Sequence, residues 1–273
     1  MLKNKKIGFI GSGAMAEALI DGILKANLVT PSQIIVNDIS QNRLDHMTGK
    51  FGVLTTLSIK DTVKAADILF LTVKPQIING VLDAIAPLLS PTTLVVSIAA
   101  GITIGILESK LVRIPIVRVM PNTPVAVGEG MSVLALGHYA GEENGELVLT
   151  IFSSVGRAII MDENAMDAVT GLSGSGPGYV FVLIDALTDA GVRVGLSRQN
   201  SLVMAAQTLL GAAKMVLETG EHPAKLRDMV TSPGGTAIAG IHVLEQKGVR
   251  AALIDAVQAA TKRSQEMGKK SHG

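Results

Sequence analysis

Two glycines and an alanine near the amino terminus have the spacing of a phosphate-binding turn. Residues 7–10 form a short apolar run, and Gly11, Gly13 and Ala16 follow in the order G-x-G-x-x-A. Glycines let the chain turn sharply and approach a pyrophosphate, whose charge is attracted by the free N–H groups of the next helix. Taken alone, the pattern fits an ordinary strand-to-helix turn equally well. Further residues must therefore decide whether it binds a dinucleotide.

A carboxylate stands where a dinucleotide-binding turn would need one. Asp38 follows a second predicted strand, residues 33–36, and lies 22 residues after Ala16. An acidic side chain there accepts hydrogen bonds from the adenosine ribose and repels a 2′-phosphate. Asp38 fits equally well as a cap for the helix predicted to begin near Ser40, and the two roles are compatible.

Two later apolar strands end in residues suited to the same ligand, because ligands of open α/β sheets bind beyond the carboxyl ends of strands. Lys74 follows the strand predicted over 67–73, with a solvated lysine as the plainer alternative. Ala99 and Ala100 follow the strand predicted over 93–98 and leave room for a flat ring, although small residues also suit tight packing.

A loop bounded by two prolines follows another predicted strand, residues 116–120. Pro121 and Pro124 restrict the loop, and Asn122 and Thr123 between them offer side-chain hydrogen bonds. The loop is therefore a further candidate for ligand contact.

A second glycine-rich segment, residues 231–237, leads directly into a predicted helix at Ile238. Backbone N–H groups, hydroxyls and a helix N-terminus converge there, and these are the donors that a carboxylate accepts. A well-capped helical turn is the plainer alternative.

The order of predicted elements gives the fold class. About eight apolar strands alternate with helices over roughly the first 160 residues, which predicts an α/β fold with a doubly wound, Rossmann-type sheet. From residue 163 onward the sequence contains only helical patterns interrupted by glycine clusters. We therefore predict a dinucleotide-binding domain over 1–162 and an all-α domain over 163–273, with a frayed tail from residue 268.

One predicted helix, residues 179–190, is apolar nearly all round, which requires burial on every side. A small helical domain cannot easily bury it alone, so we predict a homodimer through the helical domain, with a higher oligomer left open.

The composition excludes several classes of protein. Of the 273 residues, 48% are hydrophobic and 17% are charged, which is typical of a compact globular chain. The 3% aromatic content and the net charge of +1 argue against a nucleic-acid partner. The absence of cysteine fits a cytoplasmic protein. The longest apolar run, residues 94–107, is shorter than the roughly 20 residues of a membrane helix, so we expect no membrane partner.

Six motifs, in order over essentially the whole chain, resemble those of the Δ1-pyrroline-5-carboxylate reductases. They are FIGSGAMA at 9–16, VKPQ at 73–76, SIAAG at 97–101, RVMPNTP at 118–124, SGSGP at 173–177 and TSPGGT at 231–236. The resemblance implies reduction of 1-pyrroline-5-carboxylate to L-proline with NAD(P)H, the last step of proline biosynthesis. It also implies dimers formed through interlocked helical domains, often assembled into larger rings.

The resemblance also implies roles for individual residues. Those expected to bind the substrate are Met120, Ser232, Gly234, Gly235 and Thr236, of which Ser232 and Thr236 are the expected catalytic residues. Those expected to bind the cofactor are Gly11, Ser12, Gly13, Ala14, Met15, Asp38, Val73, Lys74, Pro75, Ala99, Ala100 and Asn122. The expected cofactor is NADP(H), with NAD(H) as the alternative. No metal is expected, since the five histidines lack the spacing of metal ligands.

The chain departs from the family pattern at several positions. Ala237 stands where members often carry a threonine whose hydroxyl is thought to approach the imine nitrogen, and we expect the neighbouring Thr236, or water, to compensate. Ala14 stands where asparagine or glutamine is usual. Asp38 and Ile59 stand where many members carry polar residues suited to the NADPH phosphate. Use of NADH therefore remains open.

Two other functions are compatible with parts of the sequence. One is another Rossmann reductase that acts on imines or on 3-hydroxy acids. A 3-hydroxy-acid reductase would carry a catalytic lysine early in the helical domain, yet residues 163–192 contain none. An inactive nucleotide-sensing relative is the other, and only Ala237 favours it.

Overall fold

The computed structural model describes residues 2–270, which form two compact units. Unit 1 comprises residues 2–175 and 259–270, and unit 2 comprises residues 176–258. The domain boundary expected after residue 162 stays a prediction. The compact units divide the chain elsewhere because residues 163–175 and 259–270 make their contacts within unit 1.

Unit 1 contains one eight-stranded sheet. Its strands are β1 (Ile7–Ile10), β2 (Ile34–Asn37), β3 (Leu54–Thr56), β4 (Ile68–Leu71), β5 (Leu94–Ser97), β6 (Ile116–Met120), β7 (Gly130–Leu136) and β8 (Gly156–Ile160). Their order across the sheet is β3-β2-β1-β4-β5-β6-β7-β8. All neighbours are parallel except β6 and β7, which run antiparallel. The predicted doubly wound α/β fold is confirmed.

Helices separate the strands and make up the rest of the chain. Those of unit 1 are α1 (Ala14–Lys25), α2 (Gln41–Phe51), α3 (Ile59–Ala65), α4 (Ile78–Ile85), α5 (Ile104–Lys110), α6 (Glu142–Ser153) and α7 (Met166–Val169). Those of unit 2 are α8 (Gly176–Arg193), α9 (Arg198–Thr219), α10 (Pro223–Met229) and α11 (Thr236–Gln246), while α12 (Val249–Lys270) contributes to both units.

The carboxyl-terminal part is all-α, as predicted: between residues 161 and 270 the structure contains no strand. Helix α12 continues through residues 268–270, which were expected to fray. The remainder of the predicted tail, residues 271–273, lies outside the described residues.

The sheet buries side chains on both faces, which explains why its strands are almost continuously apolar. Alternate residues of the central strands β1, β4, β5 and β6 enter two separate cores, one covered by α1, α2 and α6 and the other by α3, α4 and α5. In the first core the rings of Phe9 and Phe70 stack with centroids 4.8 Å apart, and Phe152 of α6 packs beside them. These contacts anchor β1 and β4, whose ends carry the predicted cofactor turn and Lys74.

Unit 2 exposes much of its apolar surface. Helices α8 and α9 pack closely, because a Cβ on Gly191 would lie 2.8 Å from the Cβ of Ser201. Yet Phe181 and Val182 of α8 are 63% and 68% exposed. By length and composition α9 is also apolar enough to cross a membrane, and only 6% of that stretch is buried.

We expect replacement by alanine to have opposite effects on stability at two helical glycines. A Cβ on Gly22 of α1 would overlap the Val155 side chain and lie 3.2 Å from the Ser154 carbonyl oxygen. A Cβ on Gly49 of α2 meets no atom of the described residues within 4 Å. We expect Gly22→Ala to lower the free energy of unfolding by about 1–3 kcal/mol through overpacking. We expect Gly49→Ala to raise it by about 0.5–1 kcal/mol.

Urea unfolding of the two variants and the parent, at one protein concentration, measures both effects. A stabilised Gly22→Ala variant would contradict the packing of α1 against residues 154–155.

Candidate active site

The turn between β1 and α1 has the backbone that its glycines predict. Gly11 has a φ of +96°, and a Cβ there would lie 2.9 Å from the carbonyl oxygen of Thr72. Gly13 is the N-cap of α1, and within the described part of the chain no side chain caps this helix. Gly13 and Ala14 are exposed, whereas Met15 packs against the core and Ala16 is fully buried in it. The first-turn N–H groups of α1 are therefore open to an anion.

Ser12, between the two glycines, is held by both of its polar neighbours. Its amide and its hydroxyl donate to Oδ2 of Asp38 at 2.8 and 2.7 Å. Its carbonyl oxygen accepts from Nε of Arg43 at 3.1 Å and also from Nη2 of the same guanidinium. The Ser12 amide is thus used within the protein, which leaves the N–H groups of α1 to meet a pyrophosphate.

Asp38 remains a carboxylate beside this turn. Partial burial raises the pKa of Asp38, but hydrogen bonds from the Ser12 hydroxyl and amide and from the amides of Ser40 and Ile39 outweigh burial and hold the pKa below its usual value. The contact with the Ser40 amide is 3.0 Å long, and Ser40 is the N-cap of α2. Asp38 therefore serves the start of α2 as well as the turn.

Glu17, in the first turn of α1, contacts three basic side chains of α2. Arg43 Nη2, His46 Nε2 and Lys50 Nζ lie 2.9, 3.0 and 2.9 Å from its carboxylate oxygens. Hydrogen bonds from Arg43, then His46, then Lys50 lower the pKa of Glu17 to about 2. Glu17 is therefore negatively charged throughout the physiological pH range.

The segments after β4 and β5 lie along the same edge of the sheet. A Cβ on Gly11 would lie 3.1 Å from Cγ1 of Val73, so the segment after β4 borders the turn. Lys74 is exposed, and Pro75 begins a short 3₁₀ helix that leads into α4. After β5, Ala99 is buried and Ala100 is half-buried.

The loop after β6 is held by its own side chains. Asn122 Oδ1 accepts from the Met131 amide at 2.9 Å, and Nδ2 donates to the Ser173 carbonyl oxygen at 3.0 Å. A Cβ on Gly174 would lie 2.6 Å from Cε of Met120, so residues 173–174 cover this loop. Residues 170–174 form a π-helical turn, a feature frequent at functional sites.

The predicted carboxylate loop belongs to unit 2. Gly234 has a φ of +68°, and the Gly235 amide donates to the Ser232 carbonyl oxygen at 3.0 Å, which closes a tight turn. Gly235 is the N-cap of α11, and Thr236 is its first residue. Ser232 and Thr236 are exposed. Hydroxyls and first-turn N–H groups are thus available at one helix end.

The expected cofactor-binding residues lie together in the structure, and so do the expected substrate-binding residues that follow Thr231. All twelve expected cofactor residues and Met120 lie in unit 1, at the ends of β1, β2, β4, β5 and β6, which are neighbouring parallel strands. Ser232, Gly234, Gly235 and Thr236 lie in one turn of unit 2. Among residues 2–270, no group of three or more His, Cys, Asp or Glu side chains is placed to hold a metal ion.

Comparisons with known proteins identify the family. Residues 163–267 match the family model described as pyrroline-5-carboxylate reductase dimerisation, and residues 6–101 match NADP oxidoreductase, coenzyme F420-dependent. A pyrroline-5-carboxylate reductase of Methanosarcina acetivorans is 47% identical over 98% of this chain and 100% of its own length. This chain belongs to the pyrroline-5-carboxylate reductase family. The relative from Arabidopsis thaliana is 45% identical over 96% of this chain and 95% of its own.

Solved structures of the family agree with this fold over 97% and 98% of the chain. The pyrroline-5-carboxylate reductase of Coxiella burnetii superposes with a TM-score of 0.93 at 36% identity, covering 97% of this chain and 99% of that one. The Plasmodium falciparum enzyme, described with NADP bound, gives 0.88 at 35% identity, covering 98% and 100%. The predicted family, fold, enzyme class and NADP(H) cofactor class are confirmed. The roles of individual site residues stay predictions.

The prediction missed the residues that hold the turn from the side of α2. Arg43, His46 and Lys50 are spaced so that they share one face of a helix, and this basic stripe was the available signal. Their partner, Glu17, stands in the first turn of α1, where the helix dipole by itself favours an acidic residue.

The prediction also gave no role to Arg118, which is only 6% exposed. Its Nη1 donates to Glu163 Oε1 at 2.8 Å, and the same oxygen accepts the Ile104 amide at 2.6 Å. The pair fixes β6, the strand that leads to Met120. The sequence signal for a role of Arg118 was the presence of an arginine inside an apolar strand.

Alanine substitutions at Gly13 and Gly11 separate binding from folding. Gly13 has φ −67° and ψ 179°, and a Cβ there meets no described atom within 4 Å. Gly13→Ala should therefore leave the melting temperature unchanged but weaken dinucleotide binding about tenfold or more, because its methyl group stands where the pyrophosphate approaches. Gly11→Ala should impair both, since its Cβ would collide with Thr72.

Calorimetric titration with NADP⁺, together with thermal unfolding, measures the two effects. Unchanged NADP⁺ affinity in the Gly13→Ala variant would contradict a pyrophosphate site at this turn.

Proposed function

We propose that this chain reduces 1-pyrroline-5-carboxylate to L-proline by hydride transfer from NADPH to the carbon of the cyclic C=N bond. The observation that carries the proposal is the intact G-x-G-x-x-A turn, with the N-terminus of α1 uncapped by any described side chain, in a chain similar to such a reductase over 98% of its length. The reaction is the last step of proline biosynthesis.

The residues of unit 1 fit a bound dinucleotide. Open space beside Gly13 and the N–H groups of α1 suit a pyrophosphate, and the small side chains of Ala99 and Ala100 leave room for a flat ring. When bound, the reduced nicotinamide supplies the hydride. Asp38 and Lys74 flank the turn at the ends of β2 and β4. We assign Asn122 to positioning the loop beside the nicotinamide.

We assign the predicted site residues of unit 2 to binding the hydride acceptor, 1-pyrroline-5-carboxylate. The turn that contains Ser232, Gly234, Gly235 and Thr236 binds the substrate carboxylate through the Ser232 hydroxyl and the N–H groups that open α11. Met120 of unit 1 is assigned to the entrance of the substrate site. A protonated imine forms in solution, so the protein needs mainly to hold the acceptor in place, and orientation alone lowers a barrier by several kcal/mol. The Thr236 hydroxyl, next to Ala237, is the group we assign to the imine nitrogen.

The active form we propose is a cytoplasmic homodimer joined through the helical region, with assembly into a larger ring as an extension. The apolar side chains exposed on α8 support this arrangement, as does the dimerisation model that matches residues 163–267. The membrane-compatible composition of α9 is then a consequence of burial between subunits. Neither nucleic acid nor membrane is a proposed partner.

Oxidation of NADPH with 1-pyrroline-5-carboxylate tests the reaction and the role of Thr236. Thr236→Val removes the hydroxyl at nearly constant volume and should lower kcat about tenfold or more while NADPH affinity is unchanged. Adding Ala237→Thr to that variant restores a hydroxyl one residue away and should recover part of the loss.

Absence of turnover in parent protein that binds NADPH would refute the reaction. An unchanged kcat in Thr236→Val would refute the assigned role.

The mass of the protein in solution tests the dimer. We expect at least twice the 28.3 kDa chain mass, and loss of the dimer in Phe181→Asp, which places a charge on the exposed apolar face of α8. Val112→Asp makes the same kind of change at a 69% exposed position of unit 1 and should leave the mass unaltered. A parent mass of one chain would contradict the proposal.

A further inference from the structure

A group of charged side chains beside the dinucleotide turn has an arrangement that bears on cofactor choice. Glu17 of α1 lies within 3.0 Å of nitrogen atoms of Arg43, His46 and Lys50, all on α2. Of these four side chains, which we call the Glu17 cluster, Glu17 alone is acidic. Its carboxylate is therefore the internal counter-ion for the basic face of α2.

Arg43 connects the Glu17 cluster to the turn itself. Its guanidinium donates to the Ser12 carbonyl oxygen, while Asp38 accepts from the Ser12 amide and hydroxyl. Arg43 and Asp38 are thus both bound to one residue of the turn. A ribose bound to Asp38 would therefore lie near Arg43, and an arginine near this acidic position is the group that accommodates a 2′-phosphate in NADP-binding turns.

The guanidinium of Arg43 is already engaged, however. Nη2 donates both to Ser12 and to Oε2 of Glu17, the latter at 2.9 Å, and Nε donates to Ser12. A 2′-phosphate would have to compete with the Glu17 carboxylate for this positive charge. It would also approach the ionised Asp38. NAD(H), which carries a 2′-hydroxyl instead, meets neither cost.

We propose that Glu17 is a specificity-determining residue that weakens binding of a 2′-phosphate by occupying Arg43, and so sets the ratio of NADP(H) to NAD(H) affinity. The inference rests on the proposed function only in requiring that the turn bind a dinucleotide. Glu17 acts through Arg43, so it is a positioning residue rather than a catalytic one.

A purely structural role for Glu17 makes a different prediction. If the cluster only joined α1 to α2, loss of the carboxylate would change the affinity for both dinucleotides alike. The ion pairs are partly exposed, with side-chain exposures of 37%, 45% and 49% for Arg43, His46 and Lys50, so Glu17→Gln is expected to fold.

Calorimetric titration of Glu17→Gln with NADP⁺ and NAD⁺, at one fixed salt concentration, tests the proposal. We expect NADP⁺ to bind about five- to tenfold more tightly than to the parent, because the freed guanidinium meets the 2′-phosphate, and NAD⁺ affinity to stay within about twofold. Equal changes for both dinucleotides, or an unchanged ratio, would overturn it.

Asp21→Asn is the matched control. It removes the same charge from the same helix one turn further along, where the carboxylate pairs with Lys25 at 2.6 Å. Its affinity ratio should stay at the parent value. A ratio shifted as far as in Glu17→Gln would indicate a general effect of charge and would overturn the proposal.

The Arg43→Gln background shows whether the effect passes through Arg43. There, Glu17→Gln should no longer improve NADP⁺ binding, and a persisting gain would overturn the mechanism. Binding is measured without 1-pyrroline-5-carboxylate, so a parent that binds dinucleotides but does not turn over refutes the proposed reaction alone. The affinity ratio still decides the role of Glu17.

Discussion

The active-site edge of unit 1 depends on a close contact between two backbones. The hydroxyl of Thr72 donates to the carbonyl oxygens of Ile10 and Gly11 at 2.9 and 2.7 Å, and the Thr72 carbonyl leaves no room for a Cβ on Gly11. The chain therefore turns at a positive φ and directs the N-terminus of α1 to the end of the sheet. Because β2, β4, β5 and β6 run parallel to β1, the loops that follow them lie at the same edge of the sheet as that helix end.

Polar side chains around this edge serve mainly to hold the backbone. Asp38 accepts the Ser12 N–H and Arg43 donates to the Ser12 C=O, while Asn122 binds the Met131 amide and the Ser173 carbonyl oxygen. Their hydrogen bonds are made within the protein, so the edge is preorganised before a dinucleotide arrives. This arrangement suits a reaction in which the cofactor supplies the chemistry and the protein supplies position.

The sequence predicted the fold well where burial controls it. Strands such as Ile68–Leu71 are buried on both faces, so their apolar runs were readable, and the glycine turn followed from its spacing. The antiparallel direction of β7 was not predicted, since strand direction depends on pairing across the sheet. The contact of Glu17 with Arg43 was missed because it joins two helices, and local periodicity does not report which faces meet. For the same reason the return of α12 to unit 1 was not foreseen.

The central claim is that a dinucleotide held at the turn after β1 gives its hydride to the carbon of a cyclic imine. NADPH deuterated at both C4 positions, mixed with 1-pyrroline-5-carboxylate and the protein, tests this directly by NMR of the product. We predict one deuterium at C5 of L-proline and none at other carbons. Proline without deuterium at C5, or with deuterium at C5 only when the solvent is deuterated, would contradict the account.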